Sequence, residues 1–265
     1  VTPRPHPSVS IPPRASDGGG KTTPGWIKVT NYTPSADALE DERLTDAGNA
    51  NRLVEIFKDR IRYCEGIGWL VWNGKVWMPE NENSASVLQM VKEAQEYLYE
   101  DLSELIRAER SAKLAKQHIR YSLSHTGLQN AMKLMQATYT IRLTAEDLDS
   151  HKNLLSVRNG VVDLRTGMLY EHRPELHMTQ LVDIEYAPEA IAPRWEQFLT
   201  EVMPDMPDMP PFLQRLVGYG ITGEVSEHAM AIHYGRGSNG KSIFLDTLRS
   251  LFGSISSVAD WSSFE

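Results

Sequence analysis

The run Gly235-Arg236-Gly237-Ser238-Asn239-Gly240-Lys241-Ser242 constrains this chain more than any other feature. It meets the pattern G-x-x-x-x-G-K-[S/T] in full, a pattern that works where a strand feeds a tight glycine loop opening a helix. The flanking text fits that setting. "HAMAIHY" just before it is apolar and β-compatible, which predicts a buried strand. Ile243, Phe244, Leu245, Leu248, Leu251 and Phe252 after it predict an apolar helix stopped by Gly253. The chemistry requires these residue types. Gly235, Gly237 and Gly240 let successive backbone N–H groups converge on one anion, and the helix N-terminus adds partial positive charge. Lys241 is expected to reach the β- and γ-phosphates of ATP. The Ser242 hydroxyl is expected to take a Mg²⁺ position, and Arg236, Ser238 and Asn239 to complete the cradle.

The rest of the chain predicts a mixed α/β protein. Residues 1–42 are dense in proline and close on Gly18-Gly19-Gly20, a linker or tail composition. Residues 43–150 read as mostly helical with one hairpin. In "DAGNANRLVEIFKDR", Leu53, Ile56 and Phe57 follow Asp46, a candidate N-cap. Two β-rich runs, 69–72 and 75–78, flank Asn73-Gly74, the strongest short hairpin signal. Trp69, Trp72 and Trp77 read as cross-strand packing, with a base-stacking platform as the functional alternative. Leu88, Val91, Leu98, Leu102 and Leu105 form one apolar stripe, and Thr126 with Gln129 makes a capping-box pattern. Residues 151–225 predict a second hairpin, "VVDL" and "MLYEH" around Arg165-Thr166-Gly167. Two helices follow, marked by Trp195, Phe198, Leu199 and Val202 and by Phe212, Leu213, Leu216 and Val217. Residues 226–265 hold the glycine loop.

Other candidate sites are weaker. Arg107, Arg110, Lys113, Lys116 and Arg120 form a basic stripe, readable as a solvated helix face or as a contact to DNA phosphates. Asp183 and Glu185 would share one face of a strand, as metal-holding acids do, though an exposed strand face explains them as well. The pairs His118/His125 and His172/His177 lack cysteines at zinc spacing. Cys64, the single cysteine, excludes an internal disulfide and reads as a small buried hydrophobe. The formal charge of −8 argues against coating nucleic acid by bulk charge. No apolar run is long enough to span a membrane, and the start lacks a signal-peptide core, so a cytoplasmic location is expected.

These phrases together resemble a family. "GRGSNGKS", preceded by "LVGYGITGEVSEHAMAIHY", looks like the phosphate loop of superfamily 3 helicases, among the phage and plasmid primase–helicases related to the poxviral primase–helicase. "NGVVDLRTGMLYEHRPELHMT", "YAPEAIAPRWEQFL" and "TDAGNANRLVEIFKDRIRYCEGIGWLVWNGKVW" resemble the region that precedes the motor there, so the resemblance spans roughly residues 43 to 253. It implies an AAA+-like α/β motor, a ring that is usually a hexamer around DNA, movement along one strand by ATP hydrolysis, and often a primase upstream. Only Gly235 to Ser242 carry over as site residues. The family's acidic pair, sensor, pore loop and arginine finger belong farther on, so the chain is expected to be the amino-terminal part of such a helicase. Another P-loop enzyme, such as a kinase or packaging ATPase, is disfavoured by the preceding region. An adaptor that binds DNA or an origin complex with a vestigial loop is the alternative of a different class.

Overall fold

The computed structural model describes residues 44–81, 84–102, 107, 112–228, 230–235, 237 and 239–259. The expected tail, Leu105, Arg110, Arg236 and Ser238 lie outside them. Helix α1 (Asp46–Phe57) opens on Thr45, whose hydroxyl accepts from Gly48 N at 3.0 Å. Thr45, not Asp46, is the cap, because the cap residue keeps extended backbone while its side chain turns back, and Asp46 is already helical. The chain then forms β1 (Ile61–Cys64), β2 (Gly68–Trp72) and β3 (Trp77–Pro79). Helices α2 (Ala85–Glu96), α3 (Leu98–Asp101), α4 (Ala112–Ser122) and α5 (His125–Gln136) follow, then β4 (Arg142–Leu143). The four strands make one sheet in the order β3-β2-β1-β4, antiparallel except for the parallel pair β1/β4.

The alternation of side chains across this sheet divides its apolar residues between two cores. Ile61, Tyr63, Trp69 and Val71 face α1, α2 and α5, where Leu53, Phe57, Val87, Val91, Ala131 and Met135 are buried. Cys64, Leu70, Trp72 and Trp77 face the other way with Leu143. Tyr63 sits directly opposite Trp69, and Trp72 opposite Trp77, with ring centroids 5.3 and 5.5 Å apart. The tryptophans therefore pack across strands as expected; Trp69 and Trp77 are buried. The hairpin turn is longer than the two residues of its signal. Asn73 N donates to Val76 O, its Oδ1 accepts from the amides of Lys75 and Val76, and Gly74 takes φ +95°.

The long apolar stripe is broken. Leu88 and Val91 join the first core, but Tyr97 separates α2 from α3, and Leu98 and Leu102 turn to a separate cluster with Ala115. The Thr126/Gln129 capping box does not form: Ser124 caps α5 by accepting from Gly127 N at 3.2 Å, placing Thr126 inside the helix.

A second sheet, β5-β6-β7, is built from β5 (Leu154–Val157), β6 (Gly160–Asp163) and β7 (Met168–Tyr170). Gly160 is required there, because a Cβ would run into the Tyr170 carbonyl oxygen. The turn after β6 closes on Gly167 at φ +70°, as its glycine predicts. Trp77 ties the first sheet to the segment that follows β7: its backbone N–H donates to Met178 O and its indole N–H to Pro174 O, both at 2.8 Å. Helices α6 (Pro193–Val202), α7 (Met209–Gly220) and α8 (Lys241–Phe252) complete the mixed α/β architecture. Among the described residues no helix is long and apolar enough to cross a membrane.

Candidate nucleotide-binding site

Helix α8, which the glycine loop opens, is held between two packed clusters. Phe198 and Leu199 of α6, Leu213 of α7 and Phe244 of α8 are buried together, with Trp195, Val202 and Leu248 against them. Trp195 stacks on both Phe198 and Phe244, with centroids 5.4 and 5.6 Å apart. The far end of α8 is anchored separately, where Phe252 and Ile255 pack on Val157, Val162 and Val182 and Ser254 Oγ donates to Leu181 O at 2.9 Å. Thus α6 lies beneath Gly240, where the loop meets α8, while the second sheet holds the other end of α8.

Gly240 is the N-cap of α8, at φ +82°, and its Cα lies so close to α6 that a Cβ would stand 2.6 Å from Val202 Cγ1. Among the described residues no side chain caps this helix, which leaves its first-turn N–H groups facing the loop. Lys241 is the first helical residue. Its ammonium folds back over the loop, donating to Asn239 Oδ1 at 2.6 Å and to Gly235 O at 3.4 Å. A fixed cation and uncapped amides at one place suit a phosphate group. Ser242, next on the helix, is exposed.

The expected strand before the loop does not form. Residues 230–235 have no regular structure, and Met230, Ile232 and Tyr234 are 74, 71 and 90% exposed. A β-compatible run becomes a strand only where a neighbour takes up its backbone hydrogen bonds, and no described strand lies beside it. His233 still reaches the site, with its ring 5.5 Å from that of Phe244.

The basic stripe is only partly gathered. Lys113, Lys116 and Arg120 lie exposed on one face of α4, beside Gln117. Arg107 is exposed too, but its placement relative to α4 rests on a stretch outside the described residues. The metal-holding acids are not assembled. Residues 183–185 are not in a strand; only Val182 bridges to Val157, and Asp183 accepts from Arg158 Nε at 2.9 Å. That guanidinium holds the Asp183 carboxyl below the usual carboxylate range. Among the described residues no three His, Cys, Asp or Glu side chains gather as a metal site. Cys64 is buried as expected, and burial pushes its thiol up.

Two arrangements escaped the sequence reading. One is the supporting role of α6, whose aromatic residues signalled a core helix and nothing about a loop 40 residues on. The other is a buried polar cluster between α1 and α4. Asn49 Nδ2 donates to Ser122 Oγ at 2.8 Å, and His118 Nε2 lies 3.1 Å from Asn49 Oδ1. Arg52 donates to Asn49 Oδ1 at 2.7 Å and to Gln95 Oε1 at 3.2 Å. Burial pushes the His118 imidazole below its ordinary range, aided by the nearby Arg52 charge.

Residues 50–204 match the family model described as D5 N terminal like, which represents an N-terminal domain of phage and viral primase–helicase-like proteins. The match takes in more than half of the chain, and the chain belongs to that family. It spans both sheets and α6, and ends before the glycine loop. No curated protein matches the chain.

Proposed function

We propose that this chain binds ATP with Mg²⁺ through Gly235–Ser242 and forms part of an ATP-dependent DNA helicase of the primase–helicase type, acting in phage or plasmid replication. The observation that carries the reading is the position of Lys241. Its ammonium lies over the loop at an uncapped helix N-terminus, bonded to oxygens of Asn239 and Gly235 that phosphate oxygens can replace. Membership of the primase–helicase-like family supports the setting. In this reading Lys241 and the loop amides neutralise the triphosphate, Ser242 ligates Mg²⁺, and α6 keeps the loop in place. The bound nucleotide supplies the free energy of phosphoryl transfer.

Equilibrium binding of a fluorescent ATP analogue tests this directly. Lys241→Ala is expected to weaken binding at least about tenfold with Mg²⁺ present, because a charge-assisted phosphate contact is lost. Its circular dichroism should be unchanged, since the side chain only bridges loop oxygens. Equal affinity in the two proteins refutes the site. A second reading, an adaptor with a vestigial loop, is favoured by the exposed, irregular segment 230–235. It predicts no nucleotide binding by either protein and DNA binding indifferent to Lys241→Ala.

A further inference from the structure

Asp and Glu make up 35 of the 265 residues, yet none occurs between Glu109 and Glu146. That stretch carries six Lys and Arg: Arg110, Lys113, Lys116, Arg120, Lys133 and Arg142. Four of them, Lys113, Lys116, Arg120 and Lys133, lie on α4 and α5, a local positive field in a chain of formal charge −8, while Arg142 is paired with Glu65. The fold then sorts α4 into two faces. Ala115, His118 and Ser122 are buried, against the Leu98/Leu102 cluster and Asn49. Lys113, Lys116 and Arg120 are exposed opposite them at i, i+3 and i+7, and among the described residues none of the three is in an ion pair.

From this charge complementarity we infer that the exposed face of α4 is a docking surface for the sugar–phosphate backbone of duplex DNA, with Lys113, Lys116 and Arg120 as sequence-independent phosphate contacts. The spacing fits. At 1.5 Å per residue the three cations extend over about 10.5 Å of helix, and phosphates recur every 3.4 Å of axis along one strand, so the face covers about three of them. Among the described residues of α4 no free aromatic face stands beside these cations, which favours duplex over single strand. Grooves for single strands interleave cations with free aromatic faces. The ring on this helix, Tyr121, is tied down: its hydroxyl donates to Asp46 Oδ2 and accepts from Asn130 Nδ2, both at 2.9 Å, and it lies against His118. Recognition by charge alone favours the duplex, which carries one charge per about 1.7 Å.

The inference rests on the proposed DNA-acting role, but it does not involve the glycine loop, so the two can fail separately. Its test is fluorescence anisotropy of a labelled random-sequence DNA duplex, and of its single strand, with the 265-residue chain across about 50 to 200 mM salt. The Lys113→Gln, Lys116→Gln, Arg120→Gln triple variant is expected to bind duplex at least about tenfold more weakly at low salt. Its log–log salt slope should be shallower by about 2.7, from 0.9 per phosphate. ATP-analogue binding should stay as in the parent, whereas Lys241→Ala should show the converse. The three single Gln changes should each reduce the slope by about 0.9, which keeps the test valid should the triple variant fold poorly. Lys113→Arg with Lys116→Arg keeps the charge and should retain binding. Unaltered duplex affinity and slope in the Gln variants overturn the inference, as does a parent protein that binds the single strand and not the duplex.

Discussion

Gly240 shows how much one residue can carry. Its φ of +82° lies in the left-handed region, and its Cα is pressed against Val202 and Phe198 of α6. An alanine there meets both penalties: backbone strain of about 1–2 kcal/mol and overpacking of about 1–3 kcal/mol. Gly240→Ala is therefore expected to lower stability by about 2–5 kcal/mol, read as a lower urea midpoint. Gly237, with nothing near its Cβ direction, should tolerate alanine with a smaller loss. The glycine pattern was legible because the motif spacing demands it. The steric reason at Gly240 was not, because Val202 is 38 residues away in the sequence.

At the scale of elements, the α1–α4 contact explains why a helix as polar as α4 folds. Its inward side chains His118 and Ser122 are satisfied by Asn49, so their burial costs little. Buried histidines, His118 of this contact among them, also make stability depend on pH. Burial holds His118, His172 and His177 below the ordinary imidazole range. The unfolded chain thus binds protons that the folded chain refuses. The stability they contribute is full above the unfolded value of about 6.5 and is lost as pH falls through the folded values. Urea midpoints should fall between about pH 7.5 and pH 5.5, and His118→Gln, which keeps a donor toward Asn49, should flatten that fall. A midpoint that rises on acidification would contradict the assignment. The sequence showed His118 only as one of a pair at spacing seven, since what quenches a polar side chain is its partner in space.

For the whole molecule, α8 is shared by two cores. One is the aromatic cluster of α6 and α7, the other the second sheet, so the loop's geometry depends on residues far from it. Trp195→Ala removes two ring stacks and is expected to destabilise the α6–α7–α8 cluster by about 2 kcal/mol. Hydrogen exchange should quicken in 193–220 and 241–252 and stay unchanged in β1 and β2, which belong to other cores. ATP-analogue affinity should fall with it. What the amino-acid sequence determined alone is the local grammar: the amphipathic period of the helices, both hairpins, the buried cysteine, and the loop that opens α8. These depend on residues a few positions apart, whose sterics and periodicity act before any long-range contact. Tertiary structure alone decided that the apolar run before the loop is not a strand, that the acids at 183 and 185 serve no metal cluster among the described residues, and that α6 supports the glycine loop. Each outcome turns on what lies alongside in space. A strand needs a neighbour for its backbone, a carboxylate takes the nearest guanidinium, and close packing admits only a glycine where two elements touch.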